Sequence, residues 1–167
     1  MKDESSKVIY AEVSTTQTAK AINQMIVNGI QYFKDRFGIK IVRIQTDHCN
    51  SFKEVKLAKD MGFRNILKVF GITHRYCIFK RPETNGTIER HHLTVTKELR
   101  VAVKLVAKNN GVFGIMDLCK RYLERFNFRR YHSYTYRLNS KVHKENDIPA
   151  KRLEYLKSLP VNSNVII

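Results

Sequence analysis

Arg81-Pro82-Glu83-Thr84-Asn85-Gly86-Thr87-Ile88-Glu89-Arg90 is the stretch on which the reading of this chain turns. Pro, Asn and Gly close together make a turn. The turn delivers one carboxylate, Glu89, just inside a long helix. A second carboxylate, Asp47, stands after the apolar strand Ile39-Lys40-Ile41-Val42-Arg43-Ile44-Gln45. Two carboxylates on rigid elements of an α/β fold could share a divalent metal. Each also has a plain structural reading: Asp47 as a helix or turn cap, Glu89 as a first-turn partner of the helix dipole.

Working outward, Lys7 to Val13 reads as a strand. Ser14-Thr15-Thr16 offers N-caps for a helix over Thr18 to Phe37. Its apolar residues Ile22, Met25, Ile26, Ile30, Phe33 and Phe37 share one face, and Gly38 stops it. With the strand Ile39 to Gln45 this makes a strand-helix-strand crossover, which implies a parallel pair. Val55 to Phe70 holds one or two short helices interrupted at Gly62, and Ile72 to Phe79 is a further strand. A long helix over Thr87 to Lys108 closes at Asn109-Asn110-Gly111. Another spans Ile115 to Phe126, and Pro149 starts a last short one through Ser158.

The chain has 167 residues and 43% hydrophobic content, enough for one domain with a core. Its 31 Lys and Arg against 15 Asp and Glu give a net charge of +16, which points to nucleic acid or another polyanion. Cys49, Cys77 and Cys119 are odd in number and form no CxxC pair, so they read as reduced thiols of a cytosolic protein. The polar start and the lack of a long apolar run predict neither signal peptide nor membrane span.

Thr46-Asp47, then a strand with His74-Arg75-Tyr76, then Pro82-x-Thr84-Asn85-Gly86-x-x-Glu89-Arg90-x-His92 resembles the catalytic core of insertion-sequence transposases and retroviral-type integrases. Asn127-x-x-Arg130-x-His132-Ser133, followed by Ile148-Pro149-Ala150, is similar to the tail of bacterial members. The resemblance runs from about Ser5 to Leu153. It implies an α/β, RNase H-like fold. Residues 1–110 would form a partial catalytic core, and 111–167 the C-terminal helices and irregular basic tail of the same domain.

The family's triad is two aspartates and one glutamate. Asp47 is similar to the second aspartate and Glu89 to the glutamate. Hard Mg²⁺ or Mn²⁺ suits such oxygen ligands, and the family's two-metal site activates an attacking oxygen and stabilises the leaving one. The attacker is water first, then the exposed 3′-hydroxyl, so the implied partners are transposon ends and target DNA.

The chain also departs from the family. The leading aspartate belongs in a first strand that is expected to be lacking here, which leaves the metal site incomplete. Asp3 matches better the non-catalytic aspartate that precedes a Ser-Arg pair in relatives, here Ser6-Lys7. His48-Cys49 replaces the usual Asn-Gly. The interval to Glu89 is long, as an insertion around Lys59 to Ile66 would explain. Two functions follow: a truncated DNA recombination enzyme, or a catalytically inactive nucleic-acid-binding remnant. Either could form a homo-oligomer or assemble with an intact transposase, in the bacterial cytosol at the nucleoid.

On the long helix Glu89, His92, Leu93, Thr96 and Arg100 share one face. Arg90, His92, Lys97 and Arg100 there, with Asn85 and Arg130, are the candidate DNA contacts; a solvated charged face is the alternative. Ile88, Val95, Leu99, Ala102, Val103 and Val106 read as core. His48, His74, His91 and His92 with Cys49 and Cys77 fit no common zinc module. The tail from Arg125 to Arg137 interleaves aromatics with arginines, which could stack on bases or pack on the core. Asn127, Arg130 and His132 are expected to fix the tail.

Overall fold

The computed structural model describes residues 1–3, 5–16, 18–48, 62–78, 86–130 and 148–158. Asn85, Cys49, the Pro82 turn, the side chain of Ile88 and the tail beyond Arg130 lie outside the described residues. Of the insertion expected around Lys59 to Ile66, the part from Phe63 onward opens a regular helix.

Helix α1 (Ala19–Phe37) forms where the apolar spacing places it, burying Ile26, Gly29, Ile30, Phe33 and Phe37. The cap is Thr18, whose hydroxyl accepts from the Ala21 N–H at 3.2 Å. The expected caps lie further upstream, where Ser14 instead donates to the Thr16 carbonyl at 2.7 Å. Gly38 ends the helix in the left-handed region at φ 60°, which a residue with a β-carbon rarely adopts.

Strand β1 (Arg43–Thr46), helix α2 (Phe63–Val69) and strand β2 (Thr73–Tyr76) follow. β1 and β2 pair in parallel, with Arg43 opposite Thr73 and Thr46 opposite Tyr76. The regular ladder is shorter than Ile39 to Gln45, because Ile39 is drawn into the core against α1. The parallel partner expected from Lys7 to Val13 is also corrected. There the described residues make a single antiparallel bridge, Lys2 to Ile9, and the parallel pair comes one crossover later.

The physical reason lies in where the backbone groups of residues 8–11 go. Asp3 N–H donates to the Val8 carbonyl and Tyr10 N–H to the Met1 carbonyl, both at 2.9 Å, closing one edge as a hairpin. On the other edge Ile9 bonds to the side chain of Asn127, and the Cys119 thiol donates to the Ala11 carbonyl at 3.6 Å. Side chains thus occupy positions a neighbouring strand would fill.

Helix α3 (Gly86–Phe128) is broken at Gly111, whose φ 59° and ψ −149° are non-helical. The second arm folds back on the first: His91 meets the edge of Phe126 at 4.9 Å, and Val95 and Leu99 pack on Tyr122, Leu123, Phe126 and Ile9. Helix α4 (Pro149–Ser158) packs Ala150 and Leu153 against Val8, Phe33, Phe37 and Ile39. Its Lys157 amine donates to the Phe37 carbonyl, setting a cation at the C-terminal end of α1. A third cluster joins Ile26 and Ile30 to Phe63, Leu67 and Ile72, seating α2 and the sheet on α1.

Candidate active site

Asp47 is the residue after β1, at the carboxyl end where open α/β sheets bind ligands. Its side chain is exposed, and its neighbours are tied to β2 and to Cys77 just after it. The Cys77 N–H donates to the Thr46 carbonyl at 2.8 Å. The Thr46 hydroxyl donates to the Asp47 carbonyl at 2.9 Å and lies 2.9 Å from His74 Nε2. A hydroxyl has one proton, so the imidazole is the donor to Thr46. On the other side His48 Nε2 donates to the Cys77 carbonyl at 2.9 Å, and its ring stacks on Tyr76 at 5.0 Å and 12°. Burial first, and then the charge of Arg64, hold His74 below the usual imidazole range. It is therefore neutral near pH 7.

Glu89 lies in the first turn of α3 and is exposed. Its carboxylate suits the positive end of that helix. The two carboxylates thus occupy the end of a strand and the start of a helix, both solvent-facing, and both supply hard oxygen donors fitting Mg²⁺ or Mn²⁺. Asp3 is committed elsewhere. Its Oδ2 accepts from the Ser6 N–H at 2.6 Å and the Ser6 hydroxyl at 2.5 Å, holding the hairpin turn. Among the described residues no group of three or more His, Cys, Asp or Glu is arranged to hold a metal.

Along α3, Arg90, His92, Lys97 and Arg100 are exposed, as are Thr96 and Lys104. The same surface carries Leu93, Val101 and Leu105. The opposite face is half-buried at Val95, Leu99, Ala102, Val103 and Val106, as the spacing predicts. Lys2 lies close enough to Lys7 and to Arg90 for the charge of each to act on it. Burial, then Lys7 and Arg90, push the Lys2 amine down to about 8. Arg130 differs from the others. Its guanidinium pairs with Glu98 at 2.5 Å and lies 5.5 Å from the centre of the Phe126 ring.

Asn127 has no solvent exposure, and its amide fixes the chain as the sequence implies. Sequence reasoning missed the brace around Asp47 formed by Thr46, His48, His74, Tyr76 and Cys77. The available signal was the alternation His74-x-Tyr76 beside Thr46-x-His48, which puts polar and aromatic groups at matching positions of paired strands.

No model of a known protein family matches the chain. Over 130 residues it is 30% identical to "Putative integrase ORF3" of Spiroplasma virus SpV1-C74, a match covering 74% of this chain. The chain spans about a third of that relative, 34% of its length. Its fold is similar to the catalytic core domain of BIV integrase, with a TM-score of 0.60, 18% identity, and coverage of 91% of this chain and 81% of that one. Among the described residues no helix is long and apolar enough to cross a membrane.

Proposed function

This chain carries an integrase-like catalytic core of the RNase H-like fold, and from it we propose a protein of DNA integration whose Asp47 and Glu89 hold a divalent ion at a reacting phosphodiester. The observation that carries the reading is Asp47 at the carboxyl end of β1, with Thr46 bonded to His74 of β2 and His48 bonded to Cys77 just after it. A carboxylate mounted in that way is held in place before any ligand arrives, which lowers the cost of organising a site. When bound, Mg²⁺ or Mn²⁺ supplies Lewis acidity to the attacking and leaving oxygens. The protein's part is to orient: Asp47 from the sheet, Glu89 from the helix start. Arg90, Lys97 and Arg100 hold the DNA backbone along α3. The DNA partners are element ends and target, and the setting is the bacterial cytosol.

A second reading, an inactive DNA-binding relative, is favoured by Asp3, whose carboxylate is engaged by Ser6. In that reading the chain binds DNA without cutting it, alone or in a mixed assembly with an intact recombinase.

Cleavage of labelled DNA carrying the cognate ends, with Mg²⁺ or Mn²⁺, separates the two. Metal-dependent nicking that disappears in Asp47→Asn and in Glu89→Gln, with DNA affinity retained, supports the enzyme. Salt-sensitive binding without cleavage supports the remnant. Cleavage that survives both substitutions overturns the assignment of these carboxylates.

A further inference from the structure

A cleft between α2 and β2 lies beside the carboxylate site and shares His74 and Tyr76 with the brace on Asp47. Its volume is about 390 Å³, and Arg64, Leu67, Lys68, Ile72, His74 and Tyr76 line it. Arg64 and Lys68 are exposed and one helical turn apart, which places them on one face of α2. Like charges at that spacing repel, so an anion set between them is stabilised by both. His74 and Tyr76 alternate along β2 and project to the same side. Their rings meet edge to face at 4.4 Å. Leu67 and Ile72 are buried and form an apolar floor. The neutral imidazole of His74 offers a ring to this wall rather than a third cation.

Two cations, an aromatic wall and an apolar floor match an anionic phosphate joined to a flat base, and the volume is that of a small-ligand site. The cleft also adjoins Asp47. Tyr76 is paired in register with Thr46, and His74 is bonded to the Thr46 hydroxyl. Resting on the DNA reading above, we propose that this cleft holds one unpaired nucleotide of a DNA strand, its phosphate between Arg64 and Lys68 and its base against Tyr76 and His74. A strand so bound continues past the carboxylates, and the cleft selects single-stranded or locally opened DNA over intact duplex.

Fluorescence anisotropy of the full chain with labelled oligothymidylate, and with duplex of the same length, tests this across a salt series. The double variant Arg64→Ala, Lys68→Ala is expected to lower the single-strand salt slope by about 1.4, at roughly 0.7 per released contact. Tyr76→Ala is expected to weaken oligothymidylate binding about ten-fold through lost stacking, whereas Tyr76→Phe keeps wild-type affinity. Should Tyr76→Ala melt early, the exposed Arg64 and Lys68 pair carries the test alone. A wild-type slope in that double variant overturns the cleft. If the wild-type chain meanwhile binds and cuts DNA, the integration reading stands. Failure of the wild-type chain to bind any DNA sinks both.

Discussion

Asn127 makes both backbone hydrogen bonds of Ile9, a residue 118 positions earlier: the Ile9 N–H donates to Asn127 Oδ1 at 2.9 Å and Asn127 Nδ2 donates to the Ile9 carbonyl at 2.9 Å. The second amide proton goes to the Tyr32 hydroxyl at 3.1 Å. Neither Asn127 nor Ile9 has any solvent exposure. One side-chain amide thus does the pairing of a strand residue and ties the return arm of α3 to the hairpin and to α1.

Asn127→Ala strips partners from two buried main-chain groups, each costing roughly 1–3 kcal/mol when left unpaired. The variant is expected to lose about 2–5 kcal/mol of unfolding free energy. Urea denaturation measures it. A midpoint within error of wild type would show that water or a shifted neighbour replaces the amide.

The cations of the long helix divide into two kinds. Arg90→Ala, Lys97→Ala and Arg100→Ala are each expected to reduce the salt slope of duplex binding by about 0.9, without loss of stability. Arg130→Ala is expected to leave that slope alone and lower stability instead, because its guanidinium is engaged by Glu98 and Phe126. The same slope change for all four would reject the division.

Thr46→Val removes the hydroxyl linking His74 to the Asp47 carbonyl. The expected result is several-fold slower metal-dependent cleavage with DNA affinity kept, since the carboxylate remains but its mount loosens. Titration of Mn²⁺ against cleavage rate reads the effect. An unchanged metal midpoint and rate would mean that the Cys77 N–H bond to the Thr46 carbonyl and the His48 bond to Cys77 hold the segment without the hydroxyl.

Lys2 gives a pH signature. Its folded value is about 8 against an ordinary 10.5. Between these the unfolded chain binds a proton that the folded chain releases, so stability contributed through Lys2 rises with pH across this window. Below about 8 both states are protonated and the burial penalty stands in full. Lys2→Met is therefore expected to be more stable than wild type at pH 7, with the advantage shrinking as pH climbs from about 8 to 10.5. Denaturant midpoints at several pH values check it; an advantage constant with pH sinks the idea.

Much of this architecture was legible in the residues. The apolar spacing from Ile22 to Phe37 is a local property, and α1 ends where Gly38 requires. Asn109-Asn110-Gly111 marks the break in α3, and Pro149 marks the start of α4. Lys7 to Val13 misled, because alternation predicts an extended segment but not what pairs with it. Its partners are a hairpin and the side chain of Asn127, a long-range choice no local pattern carries. The positions of Asp47 just after a strand and of Glu89 in the first turn of a long helix were legible from their motif. The brace on Asp47 was not, since it depends on the register that sets Thr46 beside Tyr76.

Gly111 acts as the fulcrum of a lever. One limb carries Glu89 near its tip; the other ends at Asn127, anchored to Ile9 of the hairpin. Any reorientation of the corner would swing the glutamate relative to the sheet that bears Asp47. Lesions at the pivot or the anchor would then displace Glu89 without altering it.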